Sequence, residues 1–295
     1  MLRIGTRGSK LALYQANKVA ELLKNLGYEV EIIIKKTTGD KILDKKLSEI
    51  GMGVFTKELD LALMNNEIDI AVHSFKDVPT IWNENLMIGA VLERDSYYDL
   101  IIWNKNKDLD LDKEITVGTS SIRRRSFLKA MYPNIKFKLL RGNVDTRLKK
   151  LKEGQYDAIV LSEAGIIRLN IDLSDFNYRR LDITPSPAQG VIAVACRRED
   201  NKIKEILEKI NHKKTFLECL CERTALNEFG GGCSVPFGAL SIYDEDKKIL
   251  TLKATVFLNG KLKHASGKIN CEIDDLDSAI TLGKTIGKRL KDLEN

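Results

Sequence analysis

Short runs of β-branched residues alternate with segments of helical spacing through most of the chain before Cys196. Residues 30–34 form a strand pattern, while residues 9–26 place apolar side chains at helical intervals behind Ser9, a residue that caps helices well. The same succession of strand and helix returns at 115–118 and at 156–161. Such alternation predicts α/β architecture with parallel sheets and helices on both faces.

The last part of the chain has a different pattern. A helical segment at 216–227 precedes three glycines and Cys233, and a second helical segment covers 275–293. Between them come strand patterns separated by turn residues, at 237–243, 249–257 and 262–271. We therefore expect a small α+β domain with an antiparallel sheet at this end.

Composition limits the class of protein. Hydrophobic residues make up 43% and charged residues 31% of the 295 positions, which suits a globular chain of two or three domains. No apolar run approaches the roughly 18 residues needed to span a membrane, and the first residues lack the apolar core of a signal peptide. We therefore expect a cytoplasmic protein that does not bind membranes.

The cysteines argue against both disulfides and metal. Five cysteines in a chain of this length are too sparse for a disulfide framework, which fits a reducing compartment. Cys219 and Cys221 are separated by one residue, the wrong spacing for a zinc knuckle, and only three histidines are present. We expect no metal site.

Polar residues gather where predicted strands end and helices begin. In α/β sheets these turns are where ligands bind, because helix N-termini and loop amides point there. The segments concerned are 6–9 (TRGS), 74–77 (SFKD), 119–121 (TSS) and 141–143 (RGN). Arginines at or near such turns suit carboxylates, which the planar guanidinium binds through two parallel hydrogen bonds. They are Arg7, Arg123, Arg124, Arg141, Arg147 and Arg168.

Asp77 and Cys233 are the candidate reactive residues. Asp77 follows Lys76 after a strand; it could be a simple turn aspartate, or a carboxylate that manages protons in a cationic cleft. Cys233 lies on a glycine-rich loop, where a thiol can be a nucleophile or an attachment point. Cys196 and Cys271 end predicted strands and fit the role of small buried side chains better.

Five sequence blocks resemble the porphobilinogen deaminase (hydroxymethylbilane synthase) family. They run in order as TRGSKLALYQ at 6–15, HSFKDVPT at 73–80, VGTSSIRR at 117–124, LRGNVDTRL at 140–148 and GGGCSVPFGA at 230–239. The resemblance implies two α/β domains like those of periplasmic binding proteins and a small α+β domain with an antiparallel sheet. We assign residues 1–95 with 188–212 to the first domain, 96–187 to the second, and 213–295 to the third.

The resemblance also implies the chemistry. Enzymes of this family, which act in porphyrin biosynthesis, join four porphobilinogen molecules head to tail, release ammonia at each addition, and give a linear tetrapyrrole. The implied cofactor is a dipyrromethane held by a thioether to Cys233, and the implied catalytic residue is Asp77. Residues matching the family's cofactor contacts are Ser74, Lys76, Thr119, Ser120, Ser121, Arg123, Arg124 and Gly190. Residues matching its substrate contacts are Arg7, Ser9, Gln15, Arg141, Arg147 and Arg168.

Two segments depart from the family pattern. Met52 stands between Gly51 and Gly53 where a lysine is common, so no carboxylate contact is assigned there. Ala188 replaces a glycine in PSPAQG at 185–190. The charged stretch and glycines of residues 41–54 further predict a mobile lid over the cleft.

Two other classes of protein remain open at this point. A periplasmic solute-binding protein would share the two-domain architecture, but the glycine-rich cysteine loop and the N-terminus count against it. The net charge of +6 would also suit an RNA-binding protein, yet aromatic residues are only 6% and none pairs with the arginines to stack bases. We expect a monomer that binds porphobilinogen and no nucleic acid.

Overall fold

The computed structural model describes residues 1–36, 56–231 and 235–293. The predicted lid at 41–54, Met52, and Cys233 lie outside these residues. Three sheets organise the described chain, and each has its own buried core. We number helices and strands in chain order among the described residues.

The first sheet has the strand order β2-β1-β3-β10-β4. Its strands are β1 (Leu2–Arg7), β2 (Val30–Lys35), β3 (Ile70–Ser74), β4 (Leu86–Val91) and β10 (Ile192–Arg197). Helices α1 (Lys10–Asn25) and α6 (Asn201–Glu208) cover one face, and α2 (Lys57–Met64) covers the other. Ser9 caps α1 as predicted, since its hydroxyl accepts a hydrogen bond from Ala12 N at 3.2 Å.

The second sheet has the strand order β7-β6-β8-β5-β9. Its strands are β5 (Asp99–Asn104), β6 (Thr116–Gly118), β7 (Lys136–Lys138), β8 (Ala158–Ser162) and β9 (Phe176–Arg180). Its helices are α3 (Ile122–Met131), α4 (Val144–Lys152) and the short α5 (Glu163–Arg168). Leu128 of α3 and Leu148 of α4 belong to separate buried clusters of this sheet, one containing Val117 and the other Ile159.

The third sheet is antiparallel, as the sequence predicts. Strands β11 (Phe237–Asp244), β12 (Ile249–Leu258) and β13 (Lys261–Asn270) pair in chain order. Helices α7 (Lys213–Phe229) and α8 (Leu276–Asp292) pack on it and on each other. Glycines allow this close helix pair, because a Cβ at Gly283 would lie 2.6 Å from the Cys221 carbonyl oxygen.

The first two sheets repeat one arrangement, and both are mixed. In each, four strands run in the same direction, while the fourth in the order runs antiparallel to its two neighbours: β10 between β3 and β4, and β5 between β8 and β9. The expectation of purely parallel sheets was wrong. Strands β5 and β10 each enter directly from the other sheet, so no crossover helix imposes the parallel direction.

Two chain crossings connect these sheets, and they contact each other. The first leads from β4 to β5, and the second from β9 to β10. Asp95 N of the first donates to Gly190 O of the second at 2.9 Å. Gly190 has φ 82°, and a Cβ there would overlap the carbonyl oxygen of Ser96. The two segments therefore approach as closely as their backbones allow.

Helix α7 binds the crossings through a buried ion pair. Glu222 accepts from Arg94 Nη2 at 2.7 Å, from Ala188 N at 2.6 Å and from Ser241 N at 2.9 Å. Ala188 has a left-handed backbone with φ 60°, a conformation that a glycine would adopt at less cost. The hydrogen bond to Glu222 offsets that strain. Both chain crossings and the third sheet thus meet at one carboxylate.

Candidate active site

A small cavity lies where β1 and β3 end and α1 begins. Its volume is about 80 Å³, and polar side chains dominate its wall. The residues that line it include Arg7, Ser9, Gln15, Thr56, His73, Ser74 and Asp77. Gln15 Nε2 donates to Ser74 Oγ at 2.8 Å, which joins α1 to the end of β3. The structure therefore brings together five predicted site residues from two separate sequence blocks.

Asp77 ends a short 3₁₀ helix, Phe75–Asp77, that continues directly from β3. Its side chain is half-buried and faces the cavity. Its carboxylate accepts no hydrogen bond from any residue within the described ranges, although its charge raises the pKa of both Lys76 and Arg147. The carboxylate is thus near cations and lines the cavity.

His73 also lines the cavity, and the sequence did not single it out. The imidazole is buried, and its Nε2 has no hydrogen-bond partner among the described residues. Burial lowers the pKa of His73 to about 4, and the charge of Arg7 contributes. Its ring is therefore neutral at physiological pH, and it adds no positive charge where an ammonium group would approach Asp77.

Lys76 points toward the second sheet rather than into the cavity lining. Its Nζ donates to Gln189 Oε1 at 3.3 Å, on the second chain crossing. Burial, together with the charge of Arg124, lowers the pKa of Lys76 to about 8, while the charges of Asp77 and Asp99 oppose the shift. This ammonium group would be stabilised by any carboxylate that entered beside it.

Arg123 and Arg124 share one buried carboxylate that the sequence analysis overlooked. Arg123 Nη2 donates to Asp99 Oδ2 at 2.7 Å, and Arg124 donates from Nη2 to Asp99 Oδ1 at 2.7 Å. Gln189 Nε2 adds a third partner at 3.0 Å. Burial opposes ionisation of Asp99, but the two arginines hold its pKa well below the usual range. Two cations with one anion leave a net positive charge.

The Thr119–Ser121 turn forms the N-terminus of α3. Ser121 Oγ accepts from Arg124 N at 3.3 Å, and Thr119 Oγ1 accepts from Ser121 N at 3.2 Å. Ser120 donates to the carbonyl oxygen of Leu140, which ties this turn to the loop before Arg141. Unpaired amides at a helix N-terminus favour anions, so the turn adds to the positive potential.

Arg147 joins the same cationic group from α4. Its Nε donates to Gly142 O at 2.7 Å. Burial lowers its pKa to about 10, and the neighbouring charges of Arg124 and Arg141 act in the same direction. Arg124, Arg141 and Arg147 therefore lie close enough to repel one another. Arg147 is also attracted by the charge of Asp77.

Arg168 lies at the chain crossings instead of at the cavity wall. Its Nε donates to Asp95 Oδ2 at 2.7 Å, and its Nη2 donates to Gly190 O at 2.8 Å. The side chain is 4% exposed. Arg168 and Gly190 were predicted as ligand contacts, and in the structure they are joined by this hydrogen bond.

The cysteines divide as the sequence suggests. Cys196, Cys219, Cys221 and Cys271 are free and buried. Burial raises the pKa of the Cys196 thiol to about 11 and that of Cys221 to about 12, which makes both poor nucleophiles. Cys233 lies outside the described residues, so its role stays a prediction.

Comparison with known proteins decides the family. The model described as "Porphobilinogen deaminase, dipyromethane cofactor binding domain" matches residues 2–205, and "Porphobilinogen deaminase, C-terminal domain" matches residues 216–292. The chain belongs to the porphobilinogen deaminase family. It is an enzyme with porphobilinogen deaminase activity in tetrapyrrole biosynthesis, a transferase, and it contains the family's dipyrromethane cofactor-binding domain.

Relatives match over their full length. A protein of Methanocaldococcus jannaschii named "Probable porphobilinogen deaminase" is 74% identical over 291 residues, 99% of this chain and 100% of the relative. Proteins with the same name from Saccharolobus islandicus and Archaeoglobus fulgidus are each 44% identical. They cover 98% of this chain and, respectively, 96% and 97% of their own.

Two solved structures are similar to part of the chain. The periplasmic VFT2 domain of Bordetella pertussis BvgS is 18% identical, with a TM-score of 0.45, over 71% of this chain and 86% of that one. A substrate-binding domain of a putative amino acid transporter from Streptococcus pneumoniae is 13% identical, with a TM-score of 0.46, over 78% and 95%.

Within the described ranges, no helix is both long and apolar enough to cross a membrane. The same residues contain no group of three or more metal-ligating side chains.

Proposed function

We propose that the enzyme condenses four porphobilinogen molecules head to tail in the cleft between the first two sheets, with Asp77 as the catalytic residue. Ammonia leaves at each addition, and water releases the linear tetrapyrrole hydroxymethylbilane. The observation that carries this proposal is the position of the Asp77 carboxylate in the cavity wall, where its charge interacts with those of Lys76 and Arg147.

The charge of the site fits a ligand with many carboxylates. Each pyrrole of porphobilinogen carries an acetate and a propionate, so a dipyrromethane brings several negative charges. The described site residues hold more cations than anions, since Arg123 and Arg124 share Asp99 while Lys76, Arg141 and Arg147 gather beside them. Charge-assisted hydrogen bonds from such groups suit carboxylates.

We assign cofactor binding to the residues that surround this cationic group. Cys233 would hold the dipyrromethane through a thioether, because its thiol lies on the glycine-rich loop. When bound, the cofactor supplies the pyrrole carbon that is joined to the first porphobilinogen. The residues that would bind its carboxylates and pyrroles are Ser74, Lys76, Thr119, Ser120, Ser121, Arg123, Arg124 and Gly190.

Asp77 would act on the reacting substrate. Its carboxylate can hydrogen-bond the ammonium group before ammonia leaves, and it offsets the positive charge that then develops on the methylene carbon. It can also take the proton that the attacking pyrrole carbon must lose once the new carbon–carbon bond has formed. The neutral His73 beside it supports this role. A protonated imidazole there would repel both the ammonium group and the positive charge that develops on the methylene carbon.

Substrate carboxylates would be bound from both sheets. Arg7, Ser9 and Gln15 line the cavity with Asp77, while Arg141 and Arg147 approach from α4 and the loop before it. Arg168 is already bonded to Asp95, so a ligand carboxylate would have to share its guanidinium. This set supports binding of substrate on both sides of the catalytic carboxylate.

Sheet membership supports the proposed domain limits. We propose residues 1–95 with 188–212, 96–187 and 213–295 as the three domains, since β10 belongs to the first sheet and β5 through β9 form the second. We also propose that the enzyme works as a monomer in the cytoplasm. The buried, unpaired thiols support a reducing compartment.

The decisive test is Asp77→Asn. Asparagine keeps the shape and removes the charge, so the variant should fold and carry cofactor when this is supplied preassembled. Turnover should fall by at least about a hundredfold, the lower end of what a positioned acid–base group contributes. Asp175→Asn, in an exposed pair with Lys152, is the matched control and should keep the parent rate. A parent rate in Asp77→Asn with confirmed cofactor would refute the mechanism.

A further inference from the structure

Arg223 of α7 binds the backbone on both sides of Asp77. Its Nη1 donates to Val78 O at 2.9 Å and, more weakly, to Phe75 O at 3.4 Å, and its Nη2 donates to Pro79 O at 2.7 Å. The guanidinium carbon also lies 4.5 Å from the centre of the Phe75 ring. One side chain of the third domain therefore contacts three carbonyl groups, one before and two after the residue that bears the catalytic carboxylate.

This turn has few restraints of its own. A 3₁₀ helix of three residues makes little internal hydrogen bonding, and here Val78 N donates to Phe75 O at 3.2 Å. Phe75 N donates outward to Val191 O at 2.9 Å. Phe75 and Val78 are buried against Val191 and Cys219, the latter one helical turn before Arg223. Tertiary contacts, with the first sheet and with α7, determine where Asp77 lies.

We propose that Arg223 is the positioning residue for Asp77, acting through the carbonyl groups of Phe75, Val78 and Pro79. This inference rests on the proposed catalytic role of Asp77. A carboxylate that must meet both an ammonium group and a pyrrole C–H has little tolerance for displacement, and an error near 1 Å can cost about a hundredfold in rate. Arg223 supplies the rigidity that the short turn lacks.

The same helix leads toward the predicted cofactor cysteine. Helix α7 ends at Phe229, and Gly230 follows in the left-handed region with φ 88°. Thr80 Oγ1 then lies 3.5 Å from Gly231 O, two residues before Cys233. Arg223 thus belongs to the helix that directly precedes the glycine-rich segment of Cys233 in the chain.

The test uses holoenzyme whose cofactor content is confirmed by intact mass. Arg223→Met keeps most of the aliphatic stem and removes the donors, while Arg223→Lys keeps a cation with fewer, differently placed donors. Arg198→Met is the matched control. Arg198 also donates to two backbone carbonyls, those of Glu84 at 2.7 Å and Leu86 at 3.2 Å, but at the opposite end of the first sheet.

We expect Arg223→Met to lower kcat by about tenfold or more, with KM for porphobilinogen changed by less than about twofold, because the carboxylate contacts remain. Arg223→Lys should recover part of kcat. Hydrogen exchange of the amides of residues 75–78 and 80 should become faster in Arg223→Met. Arg198→Met should leave both kcat and that exchange at the parent values.

Combination with Asp77→Asn separates this inference from the proposed function. If Arg223 acts through Asp77, Arg223→Met should change single-turnover rates by less than about twofold once Asp77 is asparagine. Equal losses in both backgrounds, or parent kcat in Arg223→Met, would overturn the inference. If Arg223→Met does not fold, Arg223→Lys is compared in the same two backgrounds. A parent rate in Asp77→Asn alone would instead refute the proposed function.

Discussion

Arg124 donates two hydrogen bonds, from Nε at 2.9 Å and from Nη2 at 2.7 Å, to the same oxygen of Asp99. Both side chains are buried, and Arg123 binds the other carboxylate oxygen. Removing one partner from a buried ion pair leaves a carboxylate poorly compensated, at a cost of about 3–5 kcal/mol. The pair therefore contributes to stability as well as to the charge of the site.

Arg124→Leu should consequently lower both the free energy of unfolding and the cofactor content. We expect a loss of about 3 kcal/mol in urea denaturation and a smaller fraction of adduct in the intact mass spectrum. Arg125→Leu, at the next position and exposed, is the control. An Arg124→Leu protein with parent stability and full adduct would contradict the assignment.

Cofactor attachment is tested by mass. The purified protein should exceed its sequence mass by one dipyrromethane, and tryptic mapping should find the adduct on Cys233. Cys233→Ser should lose the adduct. Cys221→Ala should keep it, because the Cys221 side chain is fully buried and its thiol has a pKa raised to about 12. An adduct on any other cysteine would refute the assignment of Cys233.

Lys76 should make the stability of the cofactor-free protein depend on pH. Its pKa is about 8 when folded against the usual 10.5, so between these values the unfolded chain binds more protons. The free energy of unfolding should therefore rise with pH across that window. We expect denaturation of the Cys233→Ser protein to show this increase in the free energy of unfolding. In the Cys233→Ser/Lys76→Met protein, the part of the increase that Lys76 causes should be lost.

Bound cofactor should reduce the rise of the free energy of unfolding with pH. Ligand carboxylates beside Lys76 would favour its charged form and return its pKa toward the usual value. Holoenzyme should therefore show a weaker dependence between pH 8 and 10.5 than Cys233→Ser protein. Lys107→Met, which removes an exposed lysine, serves as the control. Identical pH dependence with and without cofactor would argue against a carboxylate contact at Lys76.

Gly190 offers a stability test of the chain crossings. Gly190→Ala should cost about 1–2 kcal/mol for its left-handed backbone, and more for overlap with Ser96 O. Gly27 has a similar φ of 86° with nothing within 4 Å of a Cβ, so Gly27→Ala should pay only the backbone strain. Thermal denaturation should give a clearly larger loss for Gly190→Ala. Equal losses would mean that the crossings can separate freely.

Elements with strong periodicity were predictable from sequence, while those that depend on distant partners were not. Residues 30–34 and 9–26 correspond closely to β2 and α1. Strand β9 was missed because FNYRR is short, polar and largely exposed. Helix α6 was also missed, although Asp200 ahead of it is a capping signal and its apolar positions Ile203, Ile206 and Leu207 are spaced for a helix.

Some residues of the site could likewise be selected from sequence, and others could not. Turn position and residue type were enough to select Asp77, Arg7 and Lys76, since strand ends collect ligands. The partners Asp99 and His73 were not selected, because a lone aspartate or histidine at the end or within a strand has no local signature. Their importance comes from burial next to charges that are distant in sequence, such as Arg124, twenty-five positions from Asp99.

The entry of β10 between β3 and β4 has a consequence for synthesis on the ribosome. The second sheet spans residues 99–180 without interruption, whereas the first lacks a central strand until residue 197 has emerged. During synthesis, the facing edges of β3 and β4 in the first sheet therefore stay unpaired until β10 is made. The second sheet can be completed before that point. Domains usually fold in the order of their synthesis, from the N-terminus onward. In this enzyme, the second sheet folds before the first.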